Sequence, residues 1–296
     1  MFILPLCAAV GASTGWAVGI VLAQAPARAL GAFEFTRIQL IVCAALLAVI
    51  CTVFGLWHSV AWAYWPAFVV SICFGIILGN LAMIECLRRG GPRRTELLLT
   101  FKGVFVMIMA YLWLGEAIEY SDLLGAAVVL CGVFLAIQYG SDEVGETDHL
   151  TGSIMSVIVL GLVATACQGM GFLIMKPAMQ AGTEPLAASA IRLLGAALII
   201  SVVGLWPAQI FRPQAEMTPQ LVCQTIVPGV IGYAVSSSLL LYAFAHYHAG
   251  VVAVLGSLSP VLVLFVIWIK EGTPPGILAM LGATLAVLGM GIIVIA

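Results

Sequence analysis

The sequence predicts an all-α integral membrane protein with ten transmembrane helices, arranged as two inverted five-helix repeats around a central cavity. The membrane is indicated by composition, because 63% of the 296 residues are apolar and only 8% are charged, whereas a soluble domain carries about 25% charged residues. The helix count is indicated by ten apolar stretches, each long enough to cross a bilayer. Helices are favoured over a β-barrel because these stretches are continuous rather than alternating.

The ten stretches are separated by polar residues and by glycine and proline clusters. In chain order they cover residues 3–25, 33–55, 65–87, 95–114, 120–139, 152–175, 184–205, 221–245, 249–269 and 275–296. The first stretch has no basic segment before it and no small-residue cleavage site before Arg28, so we interpret it as a retained helix. An acidic segment divides the chain into a first repeat at 1–140, a linker at 141–150 and a second repeat at 151–296.

The two halves of the chain align with each other. Arg37 aligns with Arg192, and Trp113-Leu-Gly-Glu116 aligns at the same separation with Trp268-Ile-Lys-Glu-Gly272. Because five passes is an odd number, the second copy enters the membrane from the opposite side. Two inverted halves can enclose a cavity that opens alternately to either face, which is the basis of alternating access.

Several short motifs, in a fixed order and in two copies, resemble those of one transporter family. The second half contains Tyr242-Ala-Phe-Ala-His-Tyr-His-Ala-Gly250, Ser257-Leu-Ser-Pro260, Glu271 and Gly282. Further parts of the pattern are Gly15-Trp16, Gly91-Pro-Arg-Arg94, Leu114-Gly-Glu116, and Cys167-Gln168 with Lys176. This pattern resembles the EamA-type, ten-helix members of the drug/metabolite transporter superfamily over nearly the whole chain. The resemblance implies a carrier of small metabolites, amino acids, sugars or drugs, often an exporter.

Lys102 is the ionisable residue that lies deepest within an apolar stretch, about 12 Å along the helix from Arg94. A charge at the bilayer centre costs about 2.5–3.5 kcal/mol, so an interaction must offset it. Two interpretations remain open. In one, Lys102 forms an ion pair with Glu85, together with Glu96, and holds the hairpin; in the other, it faces the cavity and binds an anionic group of the solute.

The first repeat departs from the family pattern at this point. Lys102 aligns with Ser257, and Phe105 replaces the proline expected from Pro260. Glu85 is a second departure, because it aligns with Tyr242. We therefore treat both Lys102 and Glu85 as candidate substrate-binding and proton-coupling residues.

Arg37 and Arg192 are symmetric ionisable residues near the start of their helices. Glu34 precedes Arg37 by one helical turn, so a local ion pair is available, and Glu34 is a third candidate for proton coupling. Each arginine either anchors a helix or contacts the solute.

Polar-tipped and aromatic residues complete the expected binding set. The resemblance implies that helices one, three, six and eight line the cavity, while helices five and ten lie outside it. The candidates, which could instead join helices by hydrogen bonds, are Trp16, Asn80, Gln168, Tyr233, Tyr242 and Ser257.

The function that we expect is secondary active transport of a small polar or zwitterionic metabolite, such as an amino acid, by export and with a coupled proton. The alternative is an integral membrane enzyme, which the absence of H-E-x-x-H and G-x-S-x-G motifs disfavours. The expected partners are the solute, the lipid bilayer and a proton, with no cofactor, no metal and, at a net charge of −2, no nucleic acid. The chain is expected to be a monomer or a homodimer.

Topology is the point at which two predictions conflict. The positive-inside rule favours external termini, because the connections opposite the termini carry Arg28, Arg88, Arg89, Arg93, Arg94, Arg212 and Lys270, against Lys176 on the terminal side. The family resemblance implies cytoplasmic termini. We follow the family and expect a multi-pass protein of the inner or plasma membrane with both termini in the cytoplasm.

Overall fold

A computed structural model describes residues 3–116, 119–139, 153–207, 215–272 and 276–295, and every regular element in these ranges is helical. The helices make ten passes, which confirms the predicted fold class. Eight passes have the length and hydropathy of a membrane span, and the other two are the shorter apolar helices Tyr120–Ala136 and Ile277–Gly289. The expected linker, 141–150, lies outside the described residues.

The first repeat contains six α-helices and one π-helical segment. They are α1 (Ile3–Leu30), α2 (Ala32–Val53), α3 (Trp65–Val70), a π segment (Ser71–Leu78), α4 (Gly79–Thr100), α5 (Lys102–Leu114) and α6 (Tyr120–Tyr139). Helix α4 turns sharply at Gly91, whose φ of 75° favours glycine. The third pass therefore ends at Gly91, and the rest of α4 continues into α5 as the fourth pass.

The second repeat has the same plan. Its elements are α7 (Ile154–Leu173), α8 (Lys176–Gln180), α9 (Pro185–Val203), α10 (Pro219–Gly229), a π segment (Val230–Ser236), α11 (Ser237–His246), α12 (Ala249–Gly256), α13 (Ser259–Glu271) and α14 (Ile277–Ile295). The sixth pass joins α7 and α8, the eighth joins α10 to α11, and the ninth joins α12 and α13. The third and eighth passes thus both contain a π segment.

The fourth and ninth passes are both interrupted near their middle. The ninth is interrupted at Ser257 and Leu258, where Pro260 in the next turn lacks a backbone donor. The fourth is interrupted at Phe101, although Phe105 stands where the proline was expected. The departure of the first repeat from the family pattern therefore does not remove the interruption.

Close glycine contacts hold the passes together. A Cβ on Gly75 would lie 2.7 Å from the Cα of Gly171, so the third and sixth passes meet backbone to backbone. On the outside of the bundle, α6 packs along α14, where a Cβ on Gly132 would lie 2.6 Å from the carbonyl oxygen of Gly282. The surface of the bundle is covered by large apolar side chains such as Val49, Leu112, Leu198 and Leu281, as a lipid-facing surface requires.

Because the passes alternate in direction, the bundle has two distinct faces. We call the end at which α1 begins and α14 ends the terminal face, and the other end the opposite face. The fourth and ninth passes run in opposite directions, so α5 and α12 lie in the terminal half, whereas the second part of α4 and α13 lie in the opposite half.

Candidate functional site

A cavity lies between the two repeats and is lined by residues of passes one to four and six to nine. It encloses about 1060 Å³ of space free of protein atoms, including the solvent at its mouth. Helices α6 and α14 contribute no described residue to its wall. Seven of the predicted substrate-binding residues line it: Trp16, Asn80, Lys102, Gln168, Tyr233, Ser257 and Arg192.

Lys102 lies at the interruption of the fourth pass and reaches across to the second repeat. Its Nζ donates a hydrogen bond of 2.9 Å to Oε1 of Gln168 and lies 5.3 Å from the centre of the Trp16 ring, within range of a cation–π contact. Gln168 in turn donates to Oδ1 of Asn80 at 3.0 Å. The ammonium of Lys102 is therefore positioned by uncharged groups.

The interpretation in which Lys102 forms an ion pair with Glu85 is wrong. Glu85 instead accepts from Arg88 at 2.7 Å and from Arg89 at 2.7 Å. These partners lie three and four residues along the same helix, where they are closer than any group across the hairpin. Glu85 does not line the cavity.

The two symmetric arginines have different environments. Arg192 is 2% exposed, lines the cavity, donates to Oγ of Ser71 at 2.7 Å and lies 4.8 Å from the centre of the Phe172 ring. Arg37 forms the predicted ion pair with Glu34 at 2.7 Å and does not line the cavity. The repeat symmetry thus gives one cavity arginine and one that is paired within its own helix.

Tyr242 also lies off the cavity wall. Its ring centroid is 4.4 Å from that of His246, one turn further along α11, and it is absent from the cavity lining. Tyr242 therefore packs against its own helix.

Glu96 lines the cavity, although its sequence position predicted only a role in the hairpin. It is 5% exposed and accepts a hydrogen bond of 3.2 Å from Oγ of Ser259 in the second repeat. Its position within the same apolar pass as Lys102 was a signal that could have identified it. Phe172 and Ser237 are two further lining residues that were not predicted.

Glu96 does not lie within ion-pair distance of either cation of the cavity, Lys102 or Arg192. Among the described residues, the ion pairs within 4.0 Å are Arg37–Glu34, Arg88–Glu85, Arg89–Glu85 and Lys176–Glu116. Lys102 and Glu96 therefore lie further apart than 4.0 Å, each held by a neutral partner. The cavity thus presents separate positive and negative groups to whatever enters it.

The cavity extends from mid-membrane toward the opposite face and stops short of the terminal face. On the fourth pass the lining residues end at Lys102, and on the ninth they begin at Gly256. Beyond that level α5 packs along α12, where a Cβ on Gly103 would lie 3.0 Å from the Cα of Val254. The symmetry-related contact between α4 and α13 is much less extensive, so the terminal half is closed.

Comparison with known proteins agrees with this architecture. The family model described as the EamA-like transporter family matches residues 3–138 and 155–295, once for each repeat. The chain belongs to the EamA-like transporter family. It is therefore a multi-pass membrane transporter of the drug/metabolite type, and the bilayer and a small-molecule solute are its partners.

A crystal structure of another protein has the same fold as this EamA-like transporter. It superposes with a TM-score of 0.79 at 14% sequence identity, covering 98% of this chain and 96% of that protein. No curated protein matches the chain. These comparisons do not indicate the solute of this EamA-like transporter. The solute class has to be inferred from the residues of its cavity. In the described part of the chain no group of three histidine, cysteine, aspartate or glutamate residues is placed to hold a metal ion.

Proposed function

We propose that this protein carries a small zwitterionic metabolite, of the amino-acid type, across the membrane by alternating access. The observation that carries the proposal is that Lys102 and Glu96 line one cavity without pairing with each other. A solute that bears both a carboxylate and an ammonium offsets the desolvation cost of both Lys102 and Glu96, whereas a solute without charged groups offsets neither. The rings of Trp16, Phe172 and Tyr233 offer an apolar surface to the remainder of the solute.

We propose that the protein exports its solute. We also propose that it lies in the inner or plasma membrane of the cell, with both termini in the cytoplasm. With that orientation the cavity faces outward in this conformation. The division into repeats at 1–140 and 151–296 is part of the proposal. Transport without catalysis is proposed as well, and the chain is a monomer or a homodimer.

The experiment that tests the solute class compares three matched ligands on the purified protein. Leucine carries both charges, 3-methylbutylamine lacks the carboxylate, and 4-methylpentanoate lacks the ammonium. We expect leucine or another apolar amino acid to raise the melting temperature and to support counterflow in proteoliposomes, and both analogues to do so more weakly. Equal effects of all three ligands would contradict recognition of a zwitterion, and conversion of the solute instead of exchange would favour the enzyme.

Proton coupling is a separate part of the proposal, for which Lys102, Glu34 and Glu85 are the candidates. Glu34 is supported by its environment, because its side chain is 1% exposed and its Oε2 has no hydrogen-bond partner among the described residues. We expect solute flux into vesicles to change with an imposed pH gradient at clamped membrane potential, and to lose that dependence in Glu34→Gln. A flux that is indifferent to the gradient would exclude coupling.

A further inference from the structure

A cluster of polar contacts joins the two repeats at the terminal face. Glu116 follows the end of α5, and its Oε1 accepts a hydrogen bond from the ammonium of Lys176 in α8. Its Oε2 accepts from the backbone N–H of Ala249 at 2.8 Å. Lys176 also donates to the carbonyl oxygen of Tyr247 at 2.8 Å. We call these four groups the terminal clasp.

The ion pair of the terminal clasp is largely removed from water. The side chain of Lys176 is 6% exposed and that of Glu116 is 15% exposed. A shielded pair that loses one partner leaves an uncompensated charge, which is far more unfavourable than the loss of a pair in water. Glu116 follows the turn glycine Gly115, whose φ is 65°, but its carboxylate also connects one repeat to the other.

The elements that the terminal clasp connects are those that close the terminal half. Glu116 is attached to the end of α5, and Ala249 is the first residue of α12. These two helices pack along each other between the cavity and the terminal face. A path from the cavity to that face requires α5 to separate from α12, and this separation breaks the hydrogen bond between Glu116 and Ala249. Because Lys176 is bonded to Tyr247, two residues before α12, a movement of α5 away from this segment breaks the ion pair as well.

We propose that the terminal clasp is the gate of the terminal face, formed in the conformation described here and broken when the cavity opens to that face. In the repeat alignment Glu271 aligns with Glu116, but Val21 aligns with Lys176, and valine cannot donate to a carboxylate. The two positions that form the ion pair of the terminal clasp therefore do not form the same pair in the other copy of the repeat. This inference does not depend on the proposed solute.

The test measures how readily the region behind the terminal clasp becomes accessible. Val251 is 3% exposed and lines a small pocket together with Glu116, so Val251→Cys reports opening of the terminal half. The probe is the rate of modification by a membrane-impermeant methanethiosulfonate in the purified full chain. We expect Glu116→Gln and Lys176→Met each to raise this rate about tenfold, which corresponds to about 1.4 kcal/mol in the equilibrium between the closed and open states. The double variant should react no faster than either single variant, because each change breaks the same pair.

Matched controls separate gating from general loosening. Glu119→Gln removes an exposed carboxylate from the same face and should leave the rate unchanged, and each variant with Val251 retained gives the background. Glu116→Asp keeps the negative charge on a side chain that is shorter by one methylene group. It is used in the rate measurement in place of any variant that does not fold. Unchanged rates in variants with a native melting temperature, or additive effects in the double variant, would overturn the proposal. If the variants change the rate as expected but leucine does not bind, the gate proposal stands and only the proposed solute class is refuted.

Discussion

Each charge in the cavity is held by an uncharged neighbour. Gln168 orients Lys102, Ser71 orients Arg192, and Ser259 orients Glu96. A neutral partner fixes the direction of a charged group without cancelling its charge. The three groups are therefore pre-oriented, and among the described residues none of them lies within 4.0 Å of an opposite charge.

Replacing Lys102 by methionine tests the carboxylate side of the cavity. We expect Lys102→Met to weaken leucine binding by about 10- to 100-fold, since a hydrogen bond to a charged group contributes about 1.5–3 kcal/mol. Binding of 3-methylbutylamine, which has no carboxylate, should stay the same or strengthen, because a positive charge has been removed from its surroundings. Isothermal titration measures both affinities, and an equal loss for both ligands would show that Lys102 acts on the fold rather than on the solute.

Glu96→Gln is the mirror experiment on the ammonium side. Glutamine keeps an oxygen to accept from Ser259 but removes the negative charge, so leucine should bind more weakly while 4-methylpentanoate should bind as well or better. The ratio of the two affinities is the measurement. A ratio that does not move would exclude Glu96 from recognition of the ammonium.

Seven of the residues that line the cavity were predictable from the sequence, but their pairing was not. Ionisable and aromatic residues inside apolar stretches are conspicuous in a sequence, and this brought Lys102, Arg192 and Trp16 into the predicted set. Pairing depends on which neighbour is nearest in space, and for Glu85 the nearest groups are on its own helix. Glu96 was assigned to the hairpin because its partner, Ser259, lies far away in the chain.

At the level of helices, glycine contacts determine which passes approach most closely. Helices α6 and α14 lie outside the cavity and meet through Gly132 and Gly282. Their packing provides a scaffold for the inner passes without contributing to the described cavity wall. Changes at this seam should therefore act on stability and not on solute preference.

Gly132→Val tests the role of this seam. Its Cβ would lie 2.6 Å from the carbonyl oxygen of Gly282 and 2.9 Å from the Cα of Ala286, so the two helices must move apart. We expect a loss of stability of about 1–3 kcal/mol, as for other overpacked sites, measured as a lower melting temperature. Gly291→Val on α14 is the control, because no atom lies within 4 Å of the added Cβ. Equal effects of the two substitutions would refute a packing role specific to Gly132.

The number and order of the helices were predictable, because a membrane span leaves a long apolar stretch in the sequence. Their ends and internal irregularities were not. Helix α1 was expected to end at residue 25 but continues through Pro26 to Leu30. Ala27 and Leu30 are buried against neighbouring passes, and this packing outweighs the hydrogen bond that proline removes. The two π segments have no comparable signal in the residue pattern.

For the molecule as a whole, the inverted repeats supply two related ways to close the cavity, of which only one is in use here. The terminal half is closed by α5 against α12, and the related pair, α4 and α13, is less tightly packed. Exchange of these two arrangements would open the terminal face and close the other. We expect such an exchange to need no change of fold, because carriers built from inverted repeats open alternately largely by rigid-body movement of one part against the other.

Accessibility from the two faces tests this interpretation. Met83 lines the cavity on the third pass, and Met83→Cys should react with an impermeant thiol reagent added at the opposite face. Reaction from the terminal face should be much slower, and bound solute should protect the cysteine. Oriented membrane vesicles give both measurements, with the unsubstituted protein as the background. Preferential reaction from the terminal face would contradict the closure described for this conformation.

The proposed gate has a kinetic consequence. If the Glu116–Lys176 ion pair forms only while the terminal face is closed, it stabilises the empty carrier in that conformation, and we expect opening of the terminal face without solute to be the slow step of the transport cycle. Solute added on the side to which the empty carrier is open should speed up this step, because bound solute adds interactions that favour the change to the other conformation. Such a protein exchanges solute for solute faster than it carries out net efflux. The measurement is the rate of efflux of labelled solute, which should rise when unlabelled solute is added on the other side of the membrane.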